Sequence, residues 1–120
     1  MALKIIAREK DDVVVLDLDG RIVLGEESGT FRETVKGLLA EGKKKIVLNM
    51  SNVTQIDSSG LGTLVAAHSS AKAAGASLRL SNLGARFNEL LQVTKLYTVF
   101  DVSETEADAV RDLAKAASAS

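Results

Sequence analysis

Ile46-Val47-Leu48-Asn49-Met50 is the segment that most limits the folds open to this chain. The run is nearly continuously apolar, with Asn49 its one polar member, so a strand made from it turns apolar side chains to both faces. Such a strand belongs in the middle of a sheet covered on both sides, the arrangement of α/β proteins.

The flanking sequence offers the cover. Upstream, Phe31, Val35, Leu38 and Leu39 recur at i, i+4, i+7 and i+8, one face of a helix. Ser28 and Thr30 are its cap candidates, and Gly42 stands where such a helix stops. Downstream, a second helix opens at Asp57, carries Leu61, Leu64, Val65 and His68 along one side, and ends at Gly75. Ser77-Leu78-Arg79-Leu80 then alternates as a strand, and a third helix beyond Gly84 bears Phe87, Leu90 and Leu91. A short strand is expected at Val99 to Val102. The last helix starts near Ser103 or Thr105, with Glu106 as a capping-box acid if Ser103 is the cap. Its apolar face is Ala107, Val110, Ala114 and Ala117, and the tail from about 116 to 120 is expected to fray.

At the other end, Leu3 to Ala7 and Val13 to Leu18 flank the polar Lys10-Asp11-Asp12 and read as an antiparallel hairpin closing at Asp19-Gly20. The order ββαβαβα(β)α predicts one α/β domain over residues 1–120. Its sheet is mixed, with four to five strands, an N-terminal hairpin and about four helices.

Composition narrows the chemistry. There is no cysteine, which removes disulfides, thiolate metal sites and thiol catalysis, and a single histidine leaves no clustered metal ligands. With no Trp, one Tyr and three Phe, the core has to be aliphatic. A net charge of −1 without a concentrated basic footprint argues against nucleic acid as a partner. The one basic cluster, Lys43, Lys44 and Lys45, follows a helix end whose dipole it complements. Met1 to Lys10 has no signal-peptide pattern and the longest apolar runs, such as Val13 to Leu16, have four residues, so the expectation is a cytoplasmic protein without membrane insertion.

Enzymatic readings fail on spacing. Asp57, Ser58 and His68 have the residue types of a triad, but ten residues of helix separate His68 from Ser58 by about 15 Å, against about 3 Å for a working base. His68 is expected to be a partly buried packing residue. Gly60-Leu61-Gly62 begins a dinucleotide fingerprint whose third glycine falls at Val65, and no Walker loop is present.

What remains is Gln55-Ile56-Asp57-Ser58-Ser59-Gly60-Leu61-Gly62. Its bland explanation is a well-capped helix start, since Asp57, Ser58 and Ser59 are all good cap residues. Its sharper explanation is a modification site. Free N–H groups and a positive dipole end stabilise a phosphate placed there, so a serine can be modified without unfolding its host. Glycine at 60 and 62 weakens a first turn and is expected to serve a close approach, either of a neighbouring element or of a partner.

At this junction the sequence resembles the STAS family, in particular the bacterial anti-sigma factor antagonists. The likeness rests on Ile46 to Met50, Val53 and Asp57-Ser58-Ser59-Gly60-Leu61-Gly62, with Gly20, Gly75, Leu78-Arg79-Leu80 and Leu83 to Leu91 extending it over nearly the whole chain. The resemblance implies that Ser58, directly after the aspartate, is the phosphoacceptor. It implies that the unphosphorylated form binds a serine-kinase anti-sigma factor and frees the sigma factor, and that a metal-dependent PP2C-type phosphatase reverses the modification. ATP and Mg²⁺ would belong to those partners; the chain itself would need no cofactor, would not be an enzyme, and would be a monomer or weak dimer. Partner contacts are expected from Asp57, Ser58, Ser59, Gly60 and Gly62, beside a loop containing Val23 and Glu26. Many antagonists carry an acidic residue where this chain has Val23, with Glu26 or Glu27 as candidate substitutes. The alternative is a constitutive STAS adaptor in a signalling scaffold or a lipid-transport ATPase assembly. A nucleotide-binding domain is a third reading, for which the sequence supplies no phosphate loop.

Overall fold

The computed structural model describes residues 3–10, 12–22 and 26–119, the side chains of 26–28 and 115–119 excepted. Strands β1 (Lys4–Lys10) and β2 (Val13–Ile22) form the hairpin, followed by α1 (Glu26–Ala40), β3 (Lys45–Ile56), α2 (Ser58–Ala73), β4 (Ser77–Ser81), α3 (Ala85–Thr94), a 3₁₀ turn at Leu96–Thr98, β5 (Asp101–Ser103) and α4 (Glu106–Ala119). The sheet order is β1-β2-β3-β4-β5, with β1 antiparallel to β2 and the other neighbours parallel.

Because strand order follows chain order, the crossover helices line up on one side. Phe31 and Val35 of α1, Leu61, Leu64, Ala67 and Ala71 of α2, and Phe87 and Leu91 of α3 share one core with Leu16, Ile46, Leu48, Leu78 and Leu80. The opposite face of the sheet, Val13, Val15 and Val47, is covered by Ala109, Val110 and Leu113 of α4. The run at Ile46 to Met50 is thereby explained: Ile46 and Leu48 serve one core and Val47 the other. Its polar member, Asn49, donates to Glu106 at 3.0 Å.

Two strands run further than their sequence pattern. β2 does not end at Gly20 but continues to Ile22, with Gly20 at φ +123° beside a register shift, a bulge position suited to glycine. β3 extends six residues past Met50 and pairs with that extension, Gly20 opposite Val53 and Ile22 opposite Ile56. Residues 51–56 lack clean alternation and are held by the ladder and by Thr54 Oγ1, which donates to the Gly20 carbonyl at 3.1 Å.

Other details depart from expectation. α1 already starts at Glu26, which puts Ser28 and Thr30 inside it, not at its cap. The lysines do not sit on the end of α1: Lys43 pairs with Glu9 (3.1 Å) and Lys45 with Asp12 (3.8 Å), while Lys44 Nζ donates to the Ala74 carbonyl (2.6 Å) at the end of α2. The dipole argument holds, but for a different helix. The fifth strand lies at Asp101–Ser103, two residues later than expected at its start, because the 3₁₀ turn at Leu96–Thr98 is followed by Val99 in helical conformation as its C-cap. Thr105 caps α4 by accepting from the Asp108 N–H at 3.1 Å, and Ser103 is a buried strand residue that accepts from Arg79 Nε at 3.1 Å. Ala107 is exposed, and Ala109 and Leu113 replace it on the buried face. Ala117 and the expected frayed tail fall where the side chains, or at Ser120 the residue, lie outside the described residues. His68 is half-buried and meets Phe100 edge-on at 5.8 Å, a packing role.

Glu106 is no capping-box acid. It pairs with Arg8, which also grips Asp17 through Nε at 2.6 Å and Nη2 at 2.9 Å, tying α4 to the hairpin. The hydrogen bond from Arg8 holds the Glu106 carboxyl below the usual glutamate range, with Asn49 adding to it and burial opposing. A depressed carboxyl stabilises the fold above its unfolded pKa, and that contribution fades as pH falls through the folded value. Glu106→Gln should therefore lower stability by about 1 kcal/mol at pH 7, the pair being partly exposed. The difference from wild type should shrink in urea melts as pH is lowered through the depressed folded value of Glu106.

Candidate docking and modification site

The start of α2 is built on the ends of β2 and β3. Asp57 leaves β3 in an extended conformation (φ −108°, ψ −177°), and its backbone N–H reaches the Ile22 carbonyl at 3.4 Å. Its carboxylate then turns inward and accepts the Gly60 N–H at 2.7 Å, and its carbonyl takes the first helical bond from Leu61 at 2.9 Å. This is an N-cap in full.

Ser58 is the first helical residue and is exposed, as is Ser59. With the Asp57 carboxylate committed to Gly60, the N–H groups of Ser58 and Ser59 belong to the part of the helix start without intrahelical acceptors. Beyond the cap Asp57, whose carboxylate accepts the Gly60 N–H, no acidic residue stands in the first turn of α2 to oppose an added anion. Anionic modification at Ser58 meets a compatible field on its own side and water on the other.

The two glycines separate. Gly60 is buried, and a Cβ there would lie 1.8 Å from the Ile22 carbonyl oxygen and 2.7 Å from its carbon. Its bare backbone lets α2 rest directly on the end of β2. Gly62 is exposed, and a Cβ there would meet nothing within 4 Å. The need for glycine at 60 is internal; among the described residues nothing requires it at 62.

Asp57, Ser58, Ser59, Gly60 and Gly62 are thus brought together. Val23 lies outside the described residues, and Glu26 opens α1 with its side chain outside them too. Two features escaped the sequence. One is Ile22, which seats Gly60 and carried no signal beyond being apolar. The other is a groove of about 260 Å³ beside the site, lined by Met50, Val53, Ile56, Phe87, Leu90 and Arg86 among others. Among the described residues, no group of three or more metal-ligating side chains is gathered, and no helix is long and apolar enough to cross a membrane.

A mixed five-stranded sheet with an opening hairpin, helices on both faces and a capped serine helix start at the end of the long central strand define the class. Residues 4–109 match the STAS domain, and the chain belongs to that family. Among its relatives, the anti-sigma-B factor antagonist of Bacillus subtilis (strain 168) is 35% identical over 65 residues, which span 54% of this chain and 60% of that protein. A Thermotoga maritima protein assigned as an anti-sigma factor antagonist is 26% identical with a TM-score of 0.83, over 91% of this chain and 93% of the other. The Bacillus cell fate determinant SpoIIAA, solved in its phosphorylated form, shares the fold at 20% identity and TM-score 0.69, over 92% and 98% of the two chains.

Proposed function

We propose that this protein is a cytoplasmic anti-sigma factor antagonist switched by phosphorylation of Ser58. Unphosphorylated, it docks the start of α2 on a serine-kinase anti-sigma factor and so frees the sigma factor. The kinase transfers the γ-phosphoryl group of ATP to the Ser58 hydroxyl, whose proton leaves, with ADP as the other product. A PP2C-type phosphatase hydrolyses the phosphoserine and restores the docking form.

The observation that carries this reading is an exposed Ser58 at the first position of a 16-residue helix whose cap is already satisfied by Asp57. The names of the Bacillus and Thermotoga relatives point the same way. Asp57 has a positioning role, holding the helix start in place, and Ser59, Gly62 and the loop with Val23 and Glu26 complete the partner surface.

Incubation with the cognate kinase and Mg-ATP, followed by peptide mass spectrometry, tests it. Phosphate is expected on Ser58 and absent from the Ser58→Ala variant. Phosphate confined to other residues, or none at all, would remove the switch and favour the adaptor alternative.

A further inference from the structure

The groove beside the site has its own chemistry. Met50 and, from the extension of β3 past it, Val53 and Ile56 form one wall, and Phe87 and Leu90 of α3 form the other. Val53, Ile56 and Leu90 are only half-buried, so this apolar surface is open to solvent. The rim carries one cation, Arg86, which is exposed and forms no ion pair among the described residues; Glu89, one turn further along α3, does not engage it. An apolar slot with a single uncommitted guanidinium at its mouth complements a molecule with an apolar body and one anionic end.

Size restricts the class further. The volume of about 260 Å³ lies below that of pockets for drug-sized ligands and admits about ten non-hydrogen atoms. A nucleotide exceeds this and would ask for several phosphate donors where the rim offers one cation. We infer that the groove between the β3 extension and α3 binds a medium-chain aliphatic monocarboxylate, its chain between Val53, Ile56, Phe87 and Leu90 and its carboxylate on Arg86. The site is separate from the hydroxyl of Ser58 and does not depend on the switch.

Octanoate is a fitting probe. Titrated into the ¹⁵N-labelled full chain, it should shift the amides of residues 53–56 and 84–90 saturably, with a Kd near 1 mM, about what ten atoms supply at ordinary ligand efficiency. Arg86→Gln, an exposed change that leaves the core intact, should weaken binding about tenfold, the worth of one charge-assisted contact. Octylamine, with the same tail and the opposite charge, should leave those amides in place. Three results would overturn the inference: no saturable shift, equal affinity in Arg86→Gln, or equal binding of octylamine. If octanoate fails while Arg86→Gln weakens kinase binding, the groove receives a protein side chain instead, and the carboxylate site is wrong. Phosphorylation of Ser58 is read independently by mass, so either proposal can fail alone.

Discussion

Phosphorylated at Ser58, the protein should bind its kinase about a thousandfold more weakly than the unmodified form. A phosphoserine brings about 1.5 to 2 negative charges into a docked face, and a desolvation and like-charge penalty of about 4 kcal/mol corresponds to that factor. Ser58→Asp supplies one smaller charge and should weaken binding by about ten- to a hundredfold on the same scale. Ser58→Ala removes an exposed hydroxyl and should bind within about threefold of wild type, yet should no longer be released by ATP. The fold should be indifferent to all three, because an anion at a helix start changes stability by less than about 1 kcal/mol. Surface plasmon resonance against the kinase and urea melts give the two readouts. Wild-type affinity in both the phosphorylated form and Ser58→Asp would refute the docking assignment, whatever the mass spectrum shows.

The second large effect is a contrast between two glycines two residues apart. Gly60→Ala should destabilise the fold by about 3 kcal/mol or more, since a Cβ 1.8 Å from a backbone oxygen cannot be accommodated by a side-chain rotation. Either α2 lifts from the end of β2 or the Ile22–Ile56 pairing opens, and both disturb the Asp57 cap. Gly62→Ala should do the reverse. It sits in open space on a helix and should stabilise by about 0.5 to 1 kcal/mol through propensity. Chemical denaturation of both variants measures the difference. If Gly62→Ala also weakens kinase binding while raising stability, the glycine serves the partner. Equal and mild effects of the two substitutions would contradict the close contact at Ile22.

Much of the molecule was readable because its signals are local. Phe31, Val35, Leu38 and Leu39 announce a helix by spacing, Ile46 to Leu48 a doubly covered strand by continuity, and Asp57-Ser58 a helix start by cap chemistry. Each depends on residues within a few positions of one another. The misreadings share the opposite property. Glu106 has the spacing of a capping-box acid to Ser103, yet it is taken by Arg8, 98 residues away. The lysines after α1 answer groups on the hairpin and at the end of α2, which their neighbours in sequence could not reveal. Ser51 to Ile56 carry little strand pattern, because backbone pairing with the end of β2 holds them where burial does not.

Sequence alone determined the order of elements, the aliphatic two-sided core and the presence of a serine at a capped helix start, since periodicity and capping are written within a few residues. Tertiary structure decided that Ser58 faces water, that Gly60 and not Gly62 is demanded by the fold, and that a groove opens beside them. Those outcomes depend on where β2 ends relative to α2 and how far β3 outruns the sheet. Contacts between segments distant along the chain leave no pattern in either segment by itself.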